Sequence, residues 1–309
     1  MHLLTLPLFL GAVQALLVPS PLGPYHVAVK HIELVDQGRI DPFAPKANTQ
    51  RRIMASAYLP VDAKYGCKSQ VVPYMPPVTA SVFSKVGESS LGLPGGMLEQ
   101  FQMEFCDMST ARTRDVSFLI SELSNTTITD SLFANFPDTF NSHKVAVYGH
   151  SFGGATAALT TQRDSRVVGG VNFDGTIYGP VKDQGFKDKP FLLVASDSPG
   201  GASLDWDGFY SKVNATKMML TVDHTYHYAF MDIPVLLTEY KIPYGFQAKV
   251  ENVFGTLSGR KVEKAVNDIM SGFLELLFRG KAKPLKDLES NSEIHVLEVN
   301  LAKKRRSIV

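Results

Sequence analysis

The sequence predicts an α/β protein built on a mostly parallel central sheet with helices on both faces. Three observations carry this reading. Apolar runs of strand length at Val145–Tyr148, Val167–Phe173, Pro190–Ala195 and Lys217–Val222 each lead into a glycine or a polar residue. The stretches between the last three are long enough for crossovers, which parallel strands require. The third observation is the passage Gly149-His150-Ser151-Phe152-Gly153, which takes the chain from an apolar β-type run straight into the Ala-rich segment Ala155-Thr156-Ala157-Ala158-Leu159. That order is strand, sharp turn, helix.

Taken from the start, residues 1–15 close an apolar block with Val13-Gln14-Ala15 and read as a secretory signal peptide. No other stretch reaches the length of a membrane span, so the expected product is secreted and soluble. The chain is 44% hydrophobic and 20% charged with a formal net charge of +1, which argues for a packed core and against a nucleic-acid partner. Residues 16–285 fit one large domain, and 286–309 a charged, solvated tail ending in Lys303-Lys304-Arg305-Arg306.

Tyr25–Val35 alternates like a half-buried strand and Arg52–Leu59 reads as its hairpin partner. Pro60–Ser109 reads as loop, apart from a short helix within Met97–Cys106. Cys67 and Cys106 are the two cysteines, and an oxidising compartment makes a disulfide between them the expectation. Thr113–Leu123 carries apolar residues at helical spacing, and Val262–Phe278 does so more strongly through Val266, Ile269, Met270, Phe273, Leu274 and Leu277. The sequons at Asn125 and Asn214 fit the secretory route. No spacing of Cys, His or carboxylates asks for a metal or a cofactor.

The chemistry sits at the turn. Glycines at 149 and 153 let the backbone make a strained turn that lifts the Ser151 hydroxyl clear of the sheet. The Phe152 N–H, at the start of the following helix, would face the oxyanion formed on an attacked carbonyl. A serine nucleophile needs an imidazole to take its proton and a carboxylate to orient that imidazole, in the chain order Ser, acid, His. His224 and His227 both follow the last parallel strand, and Asp174 and Asp197 both end strands, so spacing leaves two bases and two acids open.

Gly-His-Ser-Phe-Gly-Gly-Ala-Thr at 149–156 resembles the nucleophile motif of the plasma-type platelet-activating factor acetylhydrolases, secreted enzymes of the α/β-hydrolase fold. Val171-Asn172-Phe173-Asp174-Gly175 is similar to the segment that carries that family's acid. His227-Tyr228-Ala229-Phe230-Met231-Asp232 reproduces its pattern around the base, and His224 does not. The resemblance implies Ser151, Asp174 and His227 as the triad and Phe152 as an oxyanion donor. It further implies a cofactor-independent esterase that removes short acyl groups from phospholipids and touches lipid surfaces transiently. A generic carboxylesterase or lipase, and an impaired hydrolase with a binding role, are the alternatives.

The chain departs from that family between Ser109 and Thr110. Two strands, a helix and the loop that gives the second oxyanion donor ordinarily precede the pre-nucleophile helix, and no apolar strand is found there. The Gly-rich stretch Leu91–Gly96 is the substitute on offer for that loop, but it lacks a strand before it and reads as a plain turn. The expectation is therefore a sheet short of strands beside the nucleophile strand, either repacked or lacking a skipped segment.

Overall fold

The computed structural model describes residues 16–18, 25–41, 44–61, 69–75, 77–108, 116–133, 141–178, 180–198, 206–240 and 245–301. The expected signal peptide at 1–15, Cys67, the Ser109–Thr110 junction and the terminal basic cluster lie outside these residues.

The first sheet holds β1 (Leu16–Leu17), β2 (His26–Ile40), β3 (Gln50–Val61), β4 (Ser69–Pro73) and β5 (Phe101–Met108), in the order β1-β5-β2-β3 with β4 on β5. The expected hairpin is β2 with β3. The Asp41 N–H donates to the Thr49 carbonyl at 2.9 Å, and Arg51 meets Asp41 at 2.6 Å. In β3, Ile53 and Ala55 are buried while Arg52, Ser56 and Tyr58 are exposed, the alternation of a one-sided strand.

Pro60–Ser109 is not the loop that its Pro, Gly and Ser content predicts. It forms β4, helix α1 (Pro77–Leu91), a single 3₁₀ turn at Leu98–Gln100 and β5. The short helix expected within Met97–Cys106 is that turn alone, and the rest is strand. Pro77 opens α1, where a missing N–H costs nothing. Gly92, at φ 65°, closes it with its N–H on the Glu88 carbonyl at 3.0 Å. Val71 and Val72 pair with Glu104 and Met103 in antiparallel register. Cys106 lies on β5 opposite Ser69.

The second sheet carries the site. Its order is β10-β9-β8-β7-β6, with β6 (Val145–His150), β7 (Val167–Phe173), β8 (Phe191–Ser196) and β9 (Lys217–Val222) parallel, as the sequence predicts. The strand β10 (Ile294–Asn300) runs antiparallel to β9. The expectation of a solvated tail from 286 is thus wrong up to Asn300. Its charges hid the buried Leu288 and Ile294, which join Leu285 in sealing the end of the core.

Alternation along β8 and β9 feeds two faces. Leu192, Val194, Met218 and Leu220 pack against helix α9 (Gly259–Arg279) through Val262, Ala265, Ile269 and Phe273. Phe191, Leu193 and Met219 point the other way, toward Ala158, Val181, Trp206 and Phe209. These come from α4 (Phe152–Arg163), α5 (Pro180–Gln184) and α6 (Trp206–Lys212). The polar face of α9 is held in register by pairs such as Lys264 with Asp268, and Gly280 ends the helix at φ 67°. The helix stripe is core, as its periodicity predicts.

Before β6, the expected helix is α2 (Val116–Glu122), and the polar connection after it contains α3 (Thr126–Phe133), capped by Asn125. Ile120 of α2 packs with Val147 of β6, Ala157 and Val167. Between β9 and α9 lie α7 (Ile233–Tyr240) and α8 (Gln247–Phe254), and α10 (Lys283–Lys286) follows α9. Among the described residues no strand pairs with the other side of β6, which is the last described strand of its sheet.

Candidate active site

Four strands deliver four polar residues to one edge of the sheet. Ser151 follows β6, Asp174 follows β7, Ser196 ends β8 and His227 lies five residues beyond β9. This is the carboxyl edge, where ligands of open α/β sheets gather.

Ser151 has φ 57° and ψ −125°, a conformation that costs a non-glycine residue on the order of 1 to 3 kcal/mol and persists only when its surroundings enforce it. They do. The Ser151 N–H donates to the Phe173 carbonyl at 2.8 Å, and its own carbonyl accepts from Gly154 at 2.9 Å. The glycines around it are spaced for contact. A Cβ on Gly149 would sit 2.4 Å from the Gly153 carbonyl carbon, and one on Gly175 would sit 2.0 Å from the Ser151 carbonyl oxygen. Gly153, which the motif marks as obligatory, faces open space, whereas a Cβ on Gly154 would lie 1.8 Å from Asn172 Oδ1. The close approach thus belongs to Gly149, Gly154 and Gly175, and the sequence expectation for Gly153 is corrected.

The structure brings Ser151, His227 and Asp174 together. His227 Nε2 is 3.0 Å from Ser151 Oγ, and its Nδ1 is 2.7 Å from Asp174 Oδ2. With Nδ1–H donating to the carboxylate, the Nε2 lone pair faces the hydroxyl and accepts from it. The Asp174 side chain is only 2% exposed. Its desolvation is met by hydrogen bonds: Ser196 N–H donates to Oδ1 at 2.8 Å and Ser196 Oγ–H to Oδ2 at 2.9 Å.

His224 and Asp197 do another job. Asp197 Oδ2 accepts the His224 backbone N–H at 3.1 Å, and the Thr225 carbonyl accepts the Asp197 N–H at 2.9 Å. These bonds, with Leu257 N–H on the His224 carbonyl at 3.0 Å and Tyr226 N–H on the Phe254 carbonyl at 3.0 Å, fasten the loop that presents His227. They are struts beneath His227 and stand outside the run of contacts from Ser151 to Asp174.

Phe152 opens α4, and its N–H has no partner among the described residues, so it is free to meet an anion at the helix start. The N–H groups of Gly92, Leu93 and Gly96, offered by the sequence as substitutes for a second donor, are spent locally on Glu88 and Gly87. Among the described residues no cluster of three His, Cys, Asp or Glu is arranged to hold a metal.

Sequence reasoning passed over three supporting residues. Asn172 is fully buried in β7 and ties Gly175 at both ends, its Oδ1 accepting the Gly175 N–H at 2.9 Å and its Nδ2 donating to the Gly175 carbonyl at 2.6 Å. A single amide in an otherwise apolar buried strand is the signal that could have found it. Ser196 was visible as a polar strand end, and His150 lay within the motif without a role.

Residues 120–252 match the family described as "Platelet-activating factor acetylhydrolase, isoform II". A protein of Arthroderma benhamiae named "Probable 1-alkyl-2-acetylglycerophosphocholine esterase" is 21% identical over 305 aligned residues, covering 72% of this chain and 78% of that protein. Among solved structures, a ferulic acid esterase from Streptomyces cinnamoneus superposes with a TM-score of 0.63 at 19% identity, over 92% of this chain and 100% of that one. The last likeness shows the fold, which is that of the α/β-hydrolases.

Proposed function

We propose that this chain, a relative of the platelet-activating factor acetylhydrolases through residues 120–252, is a serine carboxylic ester hydrolase that removes short acyl groups, such as the sn-2 acetyl, from phospholipids. The observation that carries the reading is the run of contacts from Ser151 Oγ through His227 to buried Asp174, at 3.0 and 2.7 Å, on a strained turn. Ser151 Oγ attacks the ester carbonyl as His227 Nε2 takes its proton. Asp174 holds the tautomer and stabilises the imidazolium, and the Phe152 N–H meets the oxyanion. The imidazolium then protonates the leaving alcohol. Water, deprotonated by the same imidazole, cleaves the acyl-enzyme and restores Ser151.

The substrate side of the proposal draws on the family and on exposed aromatic side chains close to the triad residues in sequence. Phe152, Tyr148, Tyr178 and Tyr228 are 74, 65, 57 and 51% exposed, and aromatic surfaces of this kind suit transient contact with lipid. Among the described residues no helix is long and apolar enough to cross a membrane. Export through the leader at 1–15 and the Cys67–Cys106 disulfide belong to the same proposal. Asn125 and Asn214, the sequon asparagines, are both exposed.

A second reading, a hydrolase impaired in turnover and kept for binding, rests on β6 having no outer strand partner among the described residues. Loss of one of two oxyanion donors costs about 10² to 10³ in turnover. Assays on a short-chain nitrophenyl ester and on an acetylated ether phospholipid, with Ser151→Ala as control, separate the readings. Cleavage of both, with the phospholipid preferred, is the expected result. Cleavage of the nitrophenyl ester alone would point to a generic carboxylesterase, and cleavage of neither above the control to the impaired protein.

A further inference from the structure

The acyl-transfer scheme leaves His150 without a role. It ends β6 immediately before Ser151, half-buried, and its Nε2 lies 2.7 Å from the backbone carbonyl of His227. A carbonyl can only accept, so His150 Nε2 carries a proton and donates. The two imidazole rings lie 4.7 Å apart between centroids at a tilt of 44°, and the His150 ring also meets Phe230 at 6.0 Å. Phe230 in turn rests on Phe173 of β7 at 5.5 Å.

We propose, on the premise of the esterase reading, that His150 is a positioning residue that ties the backbone of the catalytic base to the strand of the nucleophile. Asp174 fixes the rotation of the His227 ring through Nδ1, but leaves open how far the loop backbone stands from β6. The backbone bonds of this loop run to Asp197 beyond β8, to Phe254 of α8 and to Leu257, or stay within the turn, as from Met231 to Tyr228. The His150 bond runs to β6 itself. A residue whose side chain holds the base and whose next neighbour is the nucleophile sets the 3.0 Å gap between Ser151 Oγ and His227 Nε2 with few intervening bonds. Apolar packing on Phe230 keeps the strut from swinging away.

The neutral form of His150 suits this place. Burial first, and then the facing His227, push its imidazole below the ordinary histidine range. The carbonyl hydrogen bond and the nearby Asp174 offset part of that. A neutral neighbour does not oppose the imidazolium that His227 becomes in each turnover, whereas a charged one 4.7 Å away would.

The test compares His150→Phe, which keeps a ring but removes the donor, with His150→Gln, whose Nε2 can donate over a similar reach. Thermal unfolding of both variants verifies that they fold. Ester turnover and the rate of fluorophosphonate labelling of Ser151 are then measured. The expected result is a fall of about 10- to 100-fold in kcat and labelling rate for His150→Phe, with KM within about threefold, and recovery of most of the loss in His150→Gln. A folded His150→Phe that labels and turns over like the parent would overturn the inference, and so would a His150→Gln no faster than His150→Phe. In either case labelling of the parent would leave the esterase reading standing. A parent that fails to label would remove that reading and the inference with it.

Discussion

The strands that carry the site live in two different environments. In β7, β8 and β9 nearly every residue is buried, and Val171, Leu192, Val194 and Leu220 have no exposed surface at all. In β6 only Val147 is buried, and its neighbour Tyr148 stands in solvent. The acid and its supports thus sit in an interior closed on both faces, whereas the nucleophile sits on an edge whose outer backbone groups have no strand partner among the described residues. The difference teaches that the two tasks of a serine hydrolase are separable. In the proposed mechanism proton transfer runs through Ser151, His227 and Asp174, and the closed side holds them in reach of one another. Oxyanion binding needs donors from both sides of β6, and the open side is where the second would come from.

The largest effect expected from cutting the closed side is at the acid. Asp174→Asn should lower kcat by about 10⁴-fold, because an amide cannot hold the productive His227 tautomer. Asp197→Asn should cost only severalfold, since it loosens one strut under the loop. Steady-state kinetics on both variants checks this, and the opposite order would move the acid to β8.

The comparison sharpens at two adjacent glycines. Gly154→Ala drives a Cβ into Asn172 Oδ1 on the closed side, and should destabilise the fold by about 3 kcal/mol. Gly153→Ala meets nothing and sits in the first turn of α4, so it should change stability by no more than about 0.5 kcal/mol. Chemical denaturation of the pair measures the contrast directly. Equal losses would mean that the turn is crowded on both sides.

The smallest effect belongs to the open side. Tyr148→Lys should change stability by no more than about 0.5 kcal/mol and leave labelling of Ser151 unaltered, because the side chain stands in solvent. A large loss of stability in a monomeric sample would show that β6 is covered in the folded protein.

What was legible in the sequence follows the same divide. The runs of β7, β8 and β9 could be read because burial on both faces demands unbroken apolar sequence, and the turn at Ser151 because its glycines are rare outside such geometry. Spacing alone left His224 and His227 equal. The pattern from His227 to Asp232 favours the second, and the folded loop gives the physical reason, turning one backbone toward Asp197 and the other side chain toward Asp174. Pro60–Ser109 misled because Pro77 and Gly92 bound a helix, and composition counts them as loop residues wherever they stand. The end of the chain misled for a similar reason. Ile294 and Val296 pair against β9 within a stretch whose charges dominate its average.

The central claim is that Ser151 is a nucleophile activated by His227, and fluorophosphonate labelling followed by peptide mass analysis tests it most directly. The account predicts a single adduct on Ser151 in the parent, near-parental labelling in His224→Ala, and none in His227→Ala or Ser151→Ala. An adduct that persists in Ser151→Ala, or labelling lost in His224→Ala and kept in His227→Ala, would contradict it.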